Sequence, residues 1–210
     1  MIRILLIDDH AVVRAGYRRF LERSADVSVI AEAADAEQGY AQFRLHEPDI
    51  NILDLSLPGA SGLSLIRRIV VHDPMARVLV FSMHEHAVFA ARALQAGARG
   101  YVTKNSAPET LVEAVHNVYA GRSFLSPDIA QRLALGGGDA DPLAVLSAKE
   151  FEVFRLIVGG QSVADIAAAL SLSPKTVANY QTLIKEKLGA STSAALVHVA
   201  LRHGVIAPPG

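Results

Sequence analysis

Short apolar runs alternate with amphipathic stretches over the first 120 residues of the chain. Five runs rich in aliphatic side chains are typical of strands buried in a parallel sheet. They are residues 2–7, 27–33, 50–55, 77–82 and 100–103. Five stretches between and after them carry apolar positions at helical spacing. These are residues 11–23, 36–46, 61–72, 87–96 and 108–119. Strands that alternate with helices in this way predict βαβ crossovers, and therefore a doubly wound α/β domain with a five-stranded parallel sheet.

The pattern changes to helices alone after residue 142. A further helix is predicted before that point, starting at Ser126-Pro127, and the glycines, aspartates and proline of Gly136–Pro142 are typical of a flexible linker. Capping residues and apolar spacing then predict four helices, at residues 147–158, 162–170, 173–188 and 191–203. We expect three segments: an α/β domain at 1–120, a connecting helix and flexible linker at 121–142, and an all-α domain at 143–210.

Composition narrows the possible functions. The 210 residues include no cysteine, which excludes disulfides, thiolate nucleophiles and cysteine-based zinc sites. The formal net charge is −1, so any contact with nucleic acid must come from a local patch. No apolar run reaches the roughly 20 residues that span a bilayer, and the acidic Asp8 comes too early for a signal peptide. The sequence predicts a cytoplasmic protein with no membrane partner.

Side chains that can carry chemistry lie at the carboxyl ends of four of the predicted strands. They are Asp8, Asp9, Asp54, Ser82 and Lys104. Ligands of open α/β sheets bind at the carboxyl ends of the strands, so these side chains are expected to meet. Three crowded carboxylates repel one another unless a cation joins them, and their hard oxygens suit Mg²⁺, which commonly pairs with phosphate. An isolated Asp54 would more often cap a strand end, but the joint placement favours a phosphoryl group on Asp54 held by Ser82 and Lys104.

These residues make positions 1–120 resemble the receiver domain of two-component response regulators, which is flavodoxin-like. The resemblance is carried by Asp8, Asp9, Asp54, Pro58, Gly59, Ser82, Tyr101, Lys104 and Pro108. It implies that Asp54 is the phosphoacceptor and that a sensor histidine kinase is the donor. It implies a Mg²⁺ site formed by Asp8, Asp9, Asp54 and the backbone carbonyl of Ser56. It also implies that Ser82 and Lys104 contact the phosphoryl group and that Tyr101 is an aromatic switch.

Two positions depart from the receiver pattern. Met83 follows Ser82 where many receivers have a small residue, so we expect its bulk to narrow access and to slow reaction with small phosphodonors. Asn105 follows Lys104 where many receivers have proline, and a cis bond without proline would cost about 2.5–4 kcal/mol. The run 84–86, His-Glu-His, has no further ligand at matching spacing, and we interpret it as a solvated loop.

The predicted helix at 173–188 has a polar outer surface. Its apolar face consists of Val177, Tyr180, Ile184 and Leu188, and the residues left outward are Lys175, Thr176, Asn179, Gln181, Thr182 and Lys185. A helix of this kind after a short turn can enter the major groove of DNA. Composition alone fits a plain four-helix bundle equally well.

Residues 143–205 resemble the LuxR-type helix-turn-helix domain. The motif residues are Leu146, Ser147, Glu150, Glu152, Val153, Gly160, Ile166, Ala167, Leu170, Leu172, Ser173, Lys175, Thr176, Val177, Lys187 and Leu188. A receiver followed by this domain is the layout of the NarL/FixJ regulators. The resemblance implies double-stranded DNA as a partner, bound by Lys175, Thr176, Asn179, Thr182 and Lys185. It further implies a homodimer when phosphorylated, with a dimer face of Val197, His198 and Leu201.

The sequence thus predicts a response regulator in which phosphoryl transfer from a histidine kinase to Asp54 controls sequence-specific DNA binding and transcription. Such a protein is not expected to turn over an external substrate. One alternative is an aspartyl-phosphate phosphohydrolase, although Ser56 stands where a general acid two residues after Asp54 would be needed. Another is a signalling scaffold whose helical domain binds protein. Turnover of a phosphate ester would reveal the first, and salt-dependent binding to duplex DNA would exclude the second.

Overall fold

The computed structural model describes residues 1–58, 61–135 and 142–206. The chain divides into two units, Met1–Ala134 and Leu135–Gly210. Of the predicted linker, residues 136–141 lie outside the described part. The boundaries predicted at 120 and 142 remain predictions, and the helix placed between them belongs to the first unit. Within the described ranges, no helix has the length and apolar character required to cross a membrane.

A parallel sheet with strand order β2-β1-β3-β4-β5-β6 forms the centre of the first unit. Its strands are β1 Ile2–Ile7, β2 Val27–Ala33, β3 Ile50–Leu53, β4 Val78–Ser82, β5 Gly100–Thr103 and β6 Phe124–Leu125. The predicted doubly wound parallel sheet is confirmed, but the expected count of five strands was one too low. The sixth strand has two residues paired with β5, and a strand of that length is too short to show an alternating pattern in the sequence.

Six helices accompany the sheet: α1 Ala11–Leu21, α2 Ala36–His46, α3 Gly62–His72, α4 Ala87–Gln95, α5 Pro108–Tyr119 and α6 Pro127–Leu135. Side chains of successive strand residues point to opposite faces of a sheet. Ile4 and Leu6 therefore pack with Leu21 of α1 and Val115 of α5 in one core cluster. On the other face, the side chain of Ile7 approaches α2 at Gly39. Both faces of the sheet are covered, and only its edges are left to carry a site.

In its described residues, 142–206, the second unit contains helices only, as predicted. After a 3-10 turn at Pro142–Val145 come α7 Ala148–Val158, α8 Val163–Ala169, α9 Pro174–Lys187 and α10 Ser193–Arg202. Ser147 and Glu150 form a capping box at the start of α7, and Ser173 caps α9 by accepting a hydrogen bond from the backbone of Thr176. A small buried core joins the four helices, and it includes Phe151, Phe154, Ile166, Val177, Ile184 and Leu196.

Candidate functional site

The carboxyl edge of the sheet brings the predicted site residues of the first unit together. Asp8 follows β1, Asp54 follows β3, Ser82 ends β4 and Lys104 follows β5. These four strands are consecutive neighbours in the sheet, so their ends lie side by side. Backbone hydrogen bonds extend the ladder into the site, from Asp54 N to Ile7 O at 2.9 Å and from Lys104 N to Ser82 O at 2.8 Å. The site is thus fixed by strand pairing.

Asp54 is a buried carboxylate surrounded by donors. Its residue is only 3% exposed. Oδ1 accepts a hydrogen bond of 2.7 Å from Ser82 Oγ and one of 3.1 Å from the Ser56 backbone amide. Oδ2 lies 2.6 Å from the ammonium of Lys104, which also reaches Asp8 Oδ2 at 2.5 Å. One lysine therefore pairs with two buried acids in a region where an unpaired charge would be costly, and one negative charge is left uncompensated.

Asp54 and Lys104 stabilise each other's charged forms. Burial raises the pKa of the Asp54 carboxyl, but the hydrogen bond and the charge of Lys104 outweigh it, and the pKa lies below its ordinary value. Burial lowers the pKa of Lys104, whereas Asp54 and then Asp8 raise it, and the pKa ends above its ordinary value. Asp54 is consequently ionised at neutral pH, as a nucleophilic carboxylate must be.

An acidic cluster after β1 adjoins the Asp54 carboxylate. Single ligand atoms of Asp8, Asp9 and His10 lie within 4.8 Å of one another. Asp8 is buried, whereas Asp9 and His10 are exposed, and His10 Nδ1 is 2.7 Å from Asp9 Oδ1. The buried Asp8 and Asp54 carboxylates require a cation, and they supply the hard oxygens that a divalent ion such as Mg²⁺ prefers. The donor set therefore fits the predicted ion.

Two residues that the sequence did not single out shape this edge. Arg14 of α1 donates from Nη1 to the backbone carbonyl of Asp8 and from Nε to Glu32 at 3.3 Å, which holds the turn after β1. Gly62 begins α3 against the Asp54 backbone, where an added Cβ would lie 2.5 Å from the carbonyl oxygen of Asp54. Arg14 occupies an ordinary position within a helix, so nothing in the local sequence pattern distinguished it as a site residue. Gly62 is three residues beyond a turn, which hinted only at a helix start.

The predicted switch residue is held in the interior. Tyr101 is fully buried, and its hydroxyl donates a 2.7 Å hydrogen bond to the backbone carbonyl of His84. Burial, followed by the nearby charge of Asp54, raises the pKa of Tyr101, so the hydroxyl remains a donor at neutral pH. The ring of His84 stacks on Phe89 at 4.0 Å, and its Nε2 lies 3.1 Å from Ser56 Oγ. His84 is thus packed between three elements, in contrast to the solvated loop we expected.

The two departures from the receiver pattern have simple local structures. The described backbone contains no cis peptide bond, so Lys104–Asn105 is trans. Met83 is 59% exposed beside Ser82. Its predicted effect on small phosphodonors remains a prediction.

In the second unit, α9 presents part of the predicted DNA-contact set to solvent. Lys175, Asn179 and Thr182 are exposed and recur at helical spacing, whereas Thr176 and Lys185 are half-buried. Thr176 Oγ1 is engaged with Ser173 Oγ at 2.8 Å. The exposed residues form one polar face that is available to a ligand.

The orientation of α9 is fixed from its other end. Lys187 lies 2.8 and 2.7 Å from the two carboxylate oxygens of the buried Glu150 in α7. Burial raises the pKa of Glu150, but Lys187 and the Ser147 backbone amide lower it more, to below its ordinary value. The predicted dimer-face residues lie together on α10, where His198 is exposed and Val197 and Leu201 are half-buried.

Both halves of the chain match known families. Residues 4–116 match the response regulator receiver domain, and residues 144–200 match the bacterial regulatory proteins of the LuxR family. The chain belongs to the two-component response regulators with a LuxR-type DNA-binding domain. The predicted family is therefore confirmed.

Relatives of similar length support this assignment. The chain is 37% identical over 209 residues to the response regulator UvrY of Escherichia coli strain K12, covering 98% of this chain and 96% of UvrY. It is 38% identical over 210 residues to the response regulator GacA of Pseudomonas viridiflava, covering 98% of each. It is 39% identical over 209 residues to the transcriptional activator ExaE of Pseudomonas putida, covering 97% of each.

Solved structures resemble the chain as well. A LuxR-family response regulator from Aurantimonas sp. SI85-9A1 is 48% identical with a TM-score of 0.65, and covers 66% of this chain and 99% of its own. RcsB of Salmonella enterica serovar Typhimurium, bound to the promoter rprA in the presence of the phosphomimetic BeF3⁻, is 29% identical with a TM-score of 0.75, and covers 95% and 98%. This response regulator thus belongs to a family of DNA-binding transcription regulators rather than substrate-converting enzymes.

Proposed function

We propose that Asp54 is the phosphoacceptor of this response regulator and that its phosphorylation controls sequence-specific DNA binding by the second unit. The observation that carries the proposal is the buried Asp54 carboxylate itself, with Ser82 Oγ at 2.7 Å and Lys104 Nζ at 2.6 Å. A carboxylate in such surroundings is a nucleophile with donors already placed for the charge it will acquire.

In the proposed reaction, a carboxylate oxygen of Asp54 attacks the phosphorus of a phosphohistidine on the sensor kinase. The O–P bond forms as the P–N bond breaks, and the departing imidazole takes up a proton. Lys104 and Ser82, which now bind the carboxylate, would bind oxygens of the transferred group. No further substrate is consumed, in keeping with a regulator.

Asp8, Asp9, Asp54 and the Ser56 backbone carbonyl would hold Mg²⁺ at this site. The ion, when bound, neutralises charge on the phosphoryl oxygens during transfer. The chain's own residues provide the rest: Lys104 pairs with Asp8 and Asp54 before the reaction, and Arg14 keeps the Asp8 turn in place. Tyr101, with its hydroxyl on the loop that follows Ser82, is proposed as the switch that senses the change.

DNA binding is assigned to the polar face of α9. The proposed contacts are Lys175, Thr176, Asn179, Thr182 and Lys185, and the proposed dimer face is Val197, His198 and Leu201 on α10. Exposure of Lys175, Asn179 and Thr182 supports the first set, and the structure of RcsB on a promoter offers an analogy. We propose that phosphorylation yields a homodimer on duplex DNA. Because DNA and a phosphorylated kinase meet in the cytoplasm, we place the protein there.

The test combines mass, assembly and DNA binding. The full-length protein is incubated with Mg²⁺ and either a small acyl phosphate or a phosphorylated histidine kinase, beside Asp54→Ala. We expect one added phosphoryl group, a doubled solution mass and tighter, salt-dependent binding to duplex DNA, all absent from the variant. A variant that still gains the group would overturn the role of Asp54. Phosphorylation that changes neither the molecular weight of the assembly in solution nor the affinity for DNA would overturn the proposed control.

A further inference from the structure

Helix α6 carries two polar side chains that contact the loops beyond the phosphoryl site. Asp128 and Arg132 are four residues apart, so they share one face of the helix. Asp128 Oδ2 accepts a 3.0 Å hydrogen bond from Thr103 Oγ1, at the end of β5. Arg132 Nη2 donates at 3.1 Å to Glu85 Oε2, in the loop after β4. A single helix face thus contacts both loops.

A further hydrogen bond joins those two loops to each other, and another lies within the loop after β5. Asn105 Nδ2 donates to Glu85 Oε1, and Thr103 Oγ1 lies 2.8 Å from Ser106 Oγ. Because the Thr103 hydroxyl proton is directed to Asp128, Ser106 is the donor in the second contact. These side chains surround a cleft of about 420 Å³ between α6 and the loops. Any movement of either loop therefore changes the contacts of α6.

The same loops carry the groups that hold Asp54. Thr103 and Asn105 flank Lys104 in the chain, and Glu85 is three residues after Ser82. The Lys104 amide also donates to the Ser82 carbonyl at 2.8 Å, which couples the two loops at their origin. A phosphoryl group on Asp54 would take over the bonds that Lys104 and Ser82 now make to the carboxylate, and both loops would have to adjust.

We propose that Glu85, Thr103, Asn105, Asp128 and Arg132 form a clasp that holds α6 on the receiver domain until Asp54 is phosphorylated. The inference rests on the proposed function of Asp54. It adds a set of contacts through which phosphorylation of Asp54 would affect the second unit. Among the described residues, α6 is the last element before the helices of the second unit, so its release changes how that unit is connected.

The clasp has a strength suited to a switch. The side chains of Glu85 and Arg132 are 35% and 44% exposed, so their ion pair is partly screened. Thr103 is buried, and its hydroxyl must keep a hydrogen-bonding partner. The contact is therefore specific in geometry yet weak enough for a change at Asp54 to open it. By linkage, release of the clasp must in turn alter phosphorylation of Asp54.

The clasp is tested by hydrogen–deuterium exchange of the α6 amides in the full chain. Wild type, Arg132→Gln and the charge exchange Glu85→Lys/Arg132→Glu are compared with and without phosphorylation, which is verified by intact mass. Arg68→Gln is the matched control, because Arg68 is 45% exposed and pairs with Glu37 at 2.6 Å away from α6. We expect phosphorylation or Arg132→Gln to speed α6 exchange about two- to fivefold, as loss of one partly exposed ion pair would.

Further outcomes distinguish a failure of the clasp from a failure of the proposed phosphorylation of Asp54. The effects of phosphorylation and of Arg132→Gln should not add, and Arg68→Gln should have no effect on α6. The charge exchange should restore part of the protection in the unphosphorylated protein, because Glu85→Lys also removes the acceptor of Asn105. Unchanged α6 exchange in Arg132→Gln, or full protection of α6 in protein shown to be phosphorylated, would overturn the clasp. If Asp54 gains no phosphoryl group from either donor, the proposed function fails, and the Arg132→Gln comparison alone decides whether Glu85 and Arg132 hold α6.

Discussion

Gly62 and Asp54 touch through their backbones. A Cβ on Gly62 would lie 2.5 Å from the carbonyl oxygen of Asp54 and 2.7 Å from the Cα of Leu55, closer than real Cβ atoms approach. The first turn of α3 can therefore lie against the segment that carries the candidate phosphoacceptor only because position 62 has no side chain. The site depends on this contact as much as on its charged groups.

The first prediction follows from that contact. Gly62→Ala must push α3 away from the strand end, because the clash is with backbone and not with a flexible side chain. We expect a loss of about 1–3 kcal/mol in the free energy of unfolding, as overpacking usually causes, and slower phosphorylation of Asp54. Urea unfolding and intact mass measure the two effects.

The matched control for Gly62→Ala is Gly16→Ala in α1, where an added Cβ meets nothing within 4 Å. Alanine is the better helix former, so this change should leave stability unaltered or raise it by up to about 1 kcal/mol. Equal effects of the two substitutions would show that the approach of Gly62 to Asp54 is not what matters.

A second prediction concerns Lys104, which pairs with two buried carboxylates. Lys104→Met leaves Asp8 and Asp54 facing each other uncompensated, and breaking a buried pair typically costs about 3–5 kcal/mol. A divalent cation can replace the lost charge, so Mg²⁺ should raise the melting temperature of this variant more than that of the wild type. Lys149→Met, which removes a lysine of the second unit, should show no added response. A variant indifferent to Mg²⁺ would contradict the proposed metal site.

The third prediction is a pH dependence. The pKa of Asp54 is lowered in the folded protein, so its charge stabilises the fold above the unfolded pKa, and that contribution is lost as pH falls through the folded pKa. We expect the difference in unfolding free energy between wild type and Asp54→Asn to be constant near neutral pH and to shrink in the acid range below about pH 4. Urea midpoints across pH measure it. A difference that grows in acid would mean that the folded pKa is raised instead.

Lys104 extends this pH dependence to alkaline solution. Its pKa is raised in the folded protein, so its contribution is complete below the unfolded pKa and is lost as pH rises through the folded one. Stability from the pair should therefore decline only in strongly alkaline buffer.

A fourth prediction isolates the Tyr101 hydroxyl. Tyr101→Phe keeps the buried ring and removes only the hydrogen bond to the carbonyl of His84. We expect a loss of about 0.5–1.5 kcal/mol in stability and faster amide exchange in the loop at 83–86. Tyr119→Phe, at a side chain that is 42% exposed, should change neither. Unaltered exchange at 83–86 in Tyr101→Phe would show that this tyrosine does not restrain the loop.

The fifth prediction concerns DNA. Lys175 is exposed at the start of α9, and Lys175→Gln should remove one phosphate contact. The slope of log affinity against log salt should then fall by about one unit, with a similar loss on every sequence. Lys149→Gln, on α7, provides the control lysine. Equal slopes for both variants would show that Lys175 of α9 does not contact the DNA phosphates.

Much of the receiver site could be predicted because its functional side chains recur at the carboxyl ends of strands. Asp8, Asp54, Ser82 and Lys104 each end a strand, and parallel pairing brings strand ends together without further information. The helices of the second unit were likewise marked by capping residues such as Ser147. These are local signals, and they were sufficient for the fold class and the family.

What the sequence could not show depends on contacts between distant segments. The two-residue β6 exists only by pairing with β5, and Gly62 is constrained by a backbone that precedes it by eight residues. His84 looked solvated beside two polar neighbours, yet Phe89 and Ser56 enclose its ring. Likewise, nothing local connects Arg132 with Glu85, 47 residues earlier in the chain.

The state of α6 also affects the length of the connection between the two units. Its nine residues span about 14 Å as a helix and about 30 Å when extended. Half-sites read by a dimeric helix-turn-helix protein are about 34–36 Å apart, centre to centre. While α6 is held by the loops after β4 and β5, none of that length is available to the connection between the units. If phosphorylation releases α6 as we propose, the tether gains a distance comparable with half-site spacing, and one short helix would determine how far apart the two DNA-binding units of the proposed dimer reach.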